Sequence, residues 1–232
     1  MESVLVTGAS RGIGFEMVRQ YGLDGNWRVF ACCRRPQRSE ALTRFASTFK
    51  ERVSVHPLDI TDQANIESLA RELDHEAIDL LINNAGLYGP HGQVLGQIDV
   101  KSWLEVLKVN TIAPLKMSEA FAGHVGRSSR KVIATISSRM GSVADNTSGN
   151  AYAYRSSKAG VNMVMKSLSI DLRERGITCV TLNPGWVRTD MGTRHAPLSV
   201  EESVHNMRTV LASVRLNDSG RWFNHDGTDI PW

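Results

Sequence analysis

The sequence predicts an α/β protein: one doubly wound parallel sheet of about seven strands with helices on both faces. Three features of the chain point there. Short β-branched runs alternate with longer amphipathic stretches, the pattern of right-handed βαβ units. The first strand-like run passes straight through a glycine-rich turn, Thr7-Gly8-Ala9-Ser10-Arg11-Gly12-Ile13-Gly14, into a helical stretch. No Pro/Ser-rich linker, charge block or internal repeat interrupts the order, so residues 1–232 read as a single domain.

Strand candidates are Ser3–Thr7, Arg28–Cys33, Val53–Pro57, Leu80–Asn83, Lys131–Ser137 and Ile177–Asn183, with a short closing strand at Trp222–Asn224. Between them the helical period predicts Ile13–Leu23, Gln37–Phe49, Gln63–Glu76, Val100–Val125, Ala151–Arg175 and a last helix near Glu201–Val214. Pro114 lies inside the fourth of these, where proline removes a donor and crowds the preceding turn, so a kink or an earlier break is expected. Loops Leu87–Gln97, Arg139–Asn150 and Trp186–Val200 each follow a strand, which gathers them at the carboxyl edge, where open α/β sheets bind ligands.

Composition removes several classes. At 41% hydrophobic and 22% charged, with mean hydropathy −0.22, the chain is an ordinary globular protein with no membrane span. A formal net charge of +3 gives no argument for nucleic acid. Cys32, Cys33 and Cys179 form no metal or disulfide framework, and the first residues lack a basic or long apolar leader. The expectation is a cytoplasmic protein that binds no metal, with its cysteines acting as small buried hydrophobes.

In the G-x-x-x-G-x-G turn, Gly8 permits a sharp bend, while Gly12 and Gly14 allow close approach of backbone to sheet. Backbone N–H groups there can hold a pyrophosphate at a helix start, with Ser10, Arg11 and Ile13 alongside. A dinucleotide site selective for NAD has an acid about 20 residues on, to accept from the ribose hydroxyls. This chain instead has Cys32-Cys33-Arg34-Arg35-Pro36-Gln37-Arg38 at the end of the second strand. Arg34, aided by Arg11, suits a 2′-phosphate, so NADP(H) is favoured over NAD(H). Tyr154 and Lys158 stand at i and i+4 on one helix face, where an ammonium can lower the pKa of a phenol. Tyr152 has only Ser156 at the equivalent spacing.

With the glycine turn, Leu58-Asp59, Asn83-Asn84-Ala85-Gly86, Asn110, Ser138, Tyr154 with Lys158, and Asn183-Pro184-Gly185, the whole chain resembles the short-chain dehydrogenase/reductase family. Residues 137–142, 151–155 and 227–232 look closest to its C-factor and sniffer-like carbonyl reductase branch. The resemblance implies a Rossmann fold and NADP(H)-dependent interconversion of a small carbonyl compound and an alcohol by hydride transfer. It implies Tyr154 as acid/base, Lys158 as the group that lowers the phenol pKa and binds the nicotinamide ribose, Ser138 orienting the carbonyl, and Asn110 holding a relay water. Asp59 and Ile60 would meet the adenine; Asn83, Ala85 and Gly86 would run along the adenosine ribose; Pro184, Gly185, Val187 and Thr189 would flank the nicotinamide. A homodimer or homotetramer is also implied. The alternative is a C-factor-like signalling protein that binds the cofactor with little or no turnover.

Ser138 lies 16 residues before Tyr154, a longer spacing than the family's usual one, and the extra residues fall in 143–150. Ser137 and Ser142 therefore stay open as competitors for the carbonyl. Asn83 and Asn84 have an alternative role, joining two strand ends through a side-chain bond. Met140, Trp186, Met191 and Leu198 are candidates to line an apolar substrate pocket, and packing accounts for each equally well.

Overall fold

A computed structural model describes all residues, Met1–Trp232. Seven parallel strands form one sheet in the order β3-β2-β1-β4-β5-β6-β7. They are β1 (Glu2–Thr7), β2 (Trp27–Cys33), β3 (Val53–Pro57), β4 (Leu80–Asn83), β5 (Val132–Ile136), β6 (Thr178–Asn183) and β7 (Trp222–Asn224). The helices are α1 (Gly12–Asp24), α2 (Glu40–Thr48), α3 (Gln63–Glu72), α4 (Val100–Leu107), α5 (Ala113–Arg127), α6 (Tyr152–Asp171) and α7 (Val200–Ser213). No helix is long and apolar enough to cross a membrane.

The central strands are buried on both faces, as their unbroken apolar runs require. Alternate residues feed two cores. Val4, Val6, Val29, Ile82 and Val180 pack against Met17, Val18, Leu42 and Met207 of α1, α2 and α7. Leu5, Phe30, Leu81 and Ile133 pack on the other face against Ile66, Met117, Phe121 and Met165 of α3, α5 and α6. All three cysteines are free and buried in these layers, as expected of small hydrophobes.

The expected break before Pro114 is present, and its form is specific. The chain from Lys108 to Ile112 is a single π-turn between α4 and α5, and the Ala113 N–H reaches back to the Lys108 carbonyl. Residue 114 lacks the N–H that would serve the Asn110 carbonyl, and its ring would collide with that oxygen in a regular helix. Widening the turn relieves both problems and sets Asn110 at the bulge. Three other helices are shorter than the periodicity suggests, α3 ending at Glu72 and not Glu76. Residues Pro36–Arg38 form a separate tight turn before α2, and α6 ends at Asp171 before a tight turn over Arg173–Arg175.

Candidate active site

Strand order reverses between β1 and β4, so their carboxyl ends open a crevice. Both sides are stitched by side chains. The Thr7 hydroxyl accepts from the backbone N–H of Asn84 (3.0 Å) and Ala85 (3.1 Å), and the Asn84 amide donates to the carbonyls of Thr7 (2.9 Å) and Gly8 (3.3 Å). The strand-joining role thus falls to Asn84. Asn83 shares the face of Leu81 by strand alternation, and its amide points at the Pro114 carbonyl, Ser118 and Thr135 in the interior. The expected run of Asn83 along the ribose is therefore open to its backbone and not to its side chain.

The glycine turn is closely packed. Gly8 has φ +68°, and a Cβ there would stand 2.8 Å from Ala85 Cα. At Gly14 a Cβ would stand 2.3 Å from the Gly8 carbonyl oxygen. Gly14→Ala should therefore destabilise the fold by about 1–3 kcal/mol, read from urea unfolding, because backbone cannot yield as a side-chain tip can. Unchanged stability would contradict this packing. Arg11 is the cap of α1 but offers no side-chain cap bond, and the first turn carries no acid. Its N–H groups thus suit an anion. Ser10, Arg11, Ile13, Arg34, Ile60, Ala85 and Gly86 line the cleft, with Asn84 and Leu58 in addition to the expected set.

The two arginines differ. Arg11 pairs with Asp190 across the cleft mouth, where both side chains are largely exposed. Arg34 enters no ion pair in the chain. Asp59 gives one carboxylate oxygen to the Thr61 N–H (2.9 Å) and hydroxyl (2.7 Å). Partial burial opposes its charge, but these bonds, with the field of Arg34, hold it below the ordinary carboxylate value.

Tyr154 and Lys158 are both buried. Burial pushes the Tyr154 phenol up to about 12, and the influence of the Ser138 hydroxyl offsets only part of that. The Lys158 ammonium donates to the Ile136 carbonyl at 2.9 Å and lies 5.7 Å from the centre of the Tyr154 ring. Burial is the largest influence on the phenol, ahead of Ser138 and Tyr88. It also brings Lys158 down to about 8.

That shift sets a pH window for stability. Below about pH 8, Lys158 is charged in both states and the folded state bears the desolvation penalty. From there to its ordinary 10.5 only the unfolded chain holds the proton, so this group's contribution rises with pH, by about 3 kcal/mol in full. Above pH 10 the unfolded phenol ionises while folded Tyr154 does not, and the trend is opposed. Thermal midpoints of wild type and Lys158→Met should thus move relative to one another in favour of wild type between pH 8 and 10. Parallel curves would contradict a buried ammonium.

The three candidate serines differ in their partners, and Ser137 is the one among the residues lining the cleft. Ser137 bonds Asn162 at 2.7 Å and Ser142 bonds the Pro231 carbonyl at 2.6 Å. Ser138 only accepts from the Met140 N–H at 3.2 Å, besides facing Tyr154. Asn110 is 1% exposed. Its carbonyl oxygen accepts from Leu87 N–H (2.9 Å), and its amide donates to the Leu87 carbonyl (2.8 Å) and Ser157 (3.0 Å). Its side chain is a clamp between loop and α6, so a relay water has only its main chain to bind. Gly86 approaches it closely: a Cβ there would lie 3.2 Å from Asn110 Oδ1 and 3.7 Å from Lys158 Nζ.

After β6, Pro184 and Thr189 line the cleft with Asp190 and Met191. Gly185, at φ +81°, leaves room for Leu198, whose Cδ1 would lie 2.4 Å from a Cβ. Val187 is buried and bridges to Leu198, so it holds the loop and does not face the cleft. Trp186 is 56% exposed and Met191 47%. A wider hollow of about 700 Å³ opens on the opposite edge beside Tyr21, Trp27, Arg130 and Arg208. There Glu2 and Asp24 neutralise the two arginines, and none of the candidate catalytic residues is present.

The family model for short chain dehydrogenases matches residues 2–197. The chain belongs to the short-chain dehydrogenase family. This dehydrogenase is 42% identical to C-signal of Myxococcus xanthus over 155 residues, which are 67% of this chain and 93% of that protein. NADPH-bound carbonyl reductase from chicken fatty liver superposes with a TM-score of 0.93 at 38% identity, over 100% of this chain and 99% of that one. Carbonyl reductase Sniffer of D. melanogaster gives 0.94 at 30%, over 100% of both chains.

Two residues of the dehydrogenase site have no sequence signal. Tyr88 packs against Tyr154, ring centres 4.8 Å apart and planes inclined by 38°, and Gln93 contacts the start of α6. Both lie in an aperiodic loop, and only the folded chain brings them to the helix of Tyr154.

Proposed function

We propose that this dehydrogenase reduces a small aldehyde or ketone with NADP(H), Tyr154 donating the proton. The observation that carries this is a buried phenol, Tyr154, lining a glycine-walled cleft together with Lys158, whose ammonium lies 5.7 Å from its ring centre. The nicotinamide cofactor supplies the hydride when bound. Gly8, Ser10, Gly12, Ile13 and Gly14 would hold its pyrophosphate, Arg34 its 2′-phosphate, and Asp59, Ile60, Ala85 and Gly86 its adenosine half. Pro184, Gly185 and Thr189 would stand by the nicotinamide, with Val187 fixing their loop.

Ser138 orients the carbonyl by donating to its oxygen. Tyr154 keeps its proton at neutral pH, and a developing alkoxide is basic enough to take it. Lys158 would bind ribose hydroxyls, and a water held on the Asn110 main chain would carry a proton back to the phenol. Similarity to a carbonyl reductase solved with NADPH supports both the carbonyl and the phosphate assignment.

Similarity to C-signal favours a second reading, a signalling protein with little turnover. Loss of NADPH absorbance across a panel of aldehydes, ketones and quinones separates the two. The enzyme reading expects turnover with at least one class; absence of turnover across the panel favours the second.

A further inference from the structure

The helix that carries Tyr154 starts without a cap of its own. Its first residues follow Gly149, Asn150 and Ala151, all with positive φ, and Ala151 in the cap position has no side chain to offer. The N–H groups of the first turn have no partner inside the helix. Two of them are served from outside by one residue. Gln93 accepts from the Ala151 N–H through its backbone carbonyl (2.8 Å) and from the Tyr154 N–H through its side-chain oxygen (3.0 Å). Its amide nitrogen donates to the carbonyls of Tyr88 (2.9 Å) and Pro90 (3.1 Å). Gln93 is 6% exposed, and both ends of its side chain are bonded. Tyr88, held by that amide, lays its ring against the ring of Tyr154.

We propose that Gln93 is a positioning residue for the proton donor: it caps the catalytic helix from the loop after β4 and fixes Tyr88 against Tyr154 in the same act. A single amide thereby sets the height of the phenol above Ser138 and the wall beside it. The proposal rests on the reading of Tyr154 as the acid, but its central claim, control of the phenol's position, can be measured without turnover.

Two variants separate the contacts. Gln93→Met keeps the length and removes every side-chain hydrogen bond. Gln93→Glu keeps an acceptor for the Tyr154 N–H, with charge favourable to a helix start, and loses the amide donors to Tyr88 and Pro90. Each is studied as the full chain with NADPH, by NMR of ring-labelled tyrosine alongside kcat, KM and NADPH affinity. The chain has four tyrosines, Tyr154→Phe assigns the one of interest, and Tyr21 on the opposite edge serves as control.

In Gln93→Met the resonances of Tyr154 and Tyr88 should move while that of Tyr21 stays. With any carbonyl substrate, kcat should fall about tenfold to a hundredfold, the scale of a small misplacement of a reacting group. NADPH affinity should change little. Gln93→Glu should return the Tyr154 resonance and most of kcat, with Tyr88 still displaced. The proposal fails if Tyr154 does not move in Gln93→Met, or if the glutamate variant matches the methionine variant in both resonance and kcat. Should methionine prevent folding, the glutamate variant alone decides: Tyr88 displaced with Tyr154 in place supports it, and neither displaced overturns it. If wild type turns over no carbonyl, the enzyme reading fails while the resonances still judge the placement of Tyr154 by Gln93.

Discussion

Tyr154→Phe is expected to lower kcat about a thousandfold or more, the scale of a lost general acid, while NADPH affinity stays close to wild type. The substitution removes one hydroxyl and keeps the ring, so the contact with Tyr88 and the α6 packing persist. What is lost is the single proton source facing Ser138. Ser138 cannot replace it, since an aliphatic hydroxyl is a far weaker acid than a phenol. Lys158 is not placed to replace it, because its ammonium is bound to the Ile136 carbonyl. Steady-state turnover with an authentic carbonyl substrate, beside a fluorescence titration with NADPH, checks both halves. Normal turnover in the variant would sink the proton-donor role.

The second large effect concerns the cofactor. Arg34→Ala should weaken NADPH binding about tenfold to a hundredfold and leave NADH binding nearly unchanged. Hydrogen bonds to a charged group contribute about 1.5–3 kcal/mol, and each 1.4 kcal/mol is a factor of ten. Arg34 is exposed and has no ion pair, so it can turn to an incoming phosphate without breaking an internal contact. Arg11 must leave Asp190 to do the same, although an exposed pair of this kind is worth little. Wild type that prefers NADH, or a variant that binds NADPH unchanged, would refute the assignment.

Much of the fold was legible because it rests on local patterns. Each strand predicted from β-branched runs is present, and the glycine turn lies between β1 and α1. Pro114 announced an interruption, though not that it would be a π-turn centred on Asn110. The site was legible in its residue types and less so in its bonds. Spacing placed Tyr154 and Lys158 on one helix face, yet could not reveal that burial pushes the phenol up and the ammonium down. Nor could spacing reveal that Ser137 and Ser142 bond Asn162 and Pro231 from distant parts of the chain.

The sequence by itself therefore determined the doubly wound sheet, the family, the glycine-rich turn between β1 and α1, and the absence of an acid at the end of β2. These depend on period, spacing and charge, which are properties of neighbouring residues. Only the tertiary structure decided that Asn84 joins the strands while Asn83 turns inward. It alone showed that Asn110 clamps Leu87 and that Gln93 caps the helix of Tyr154 across 61 residues. Those outcomes follow from which unpaired donors and acceptors meet once the chain is packed, because burial makes an unmet partner costly.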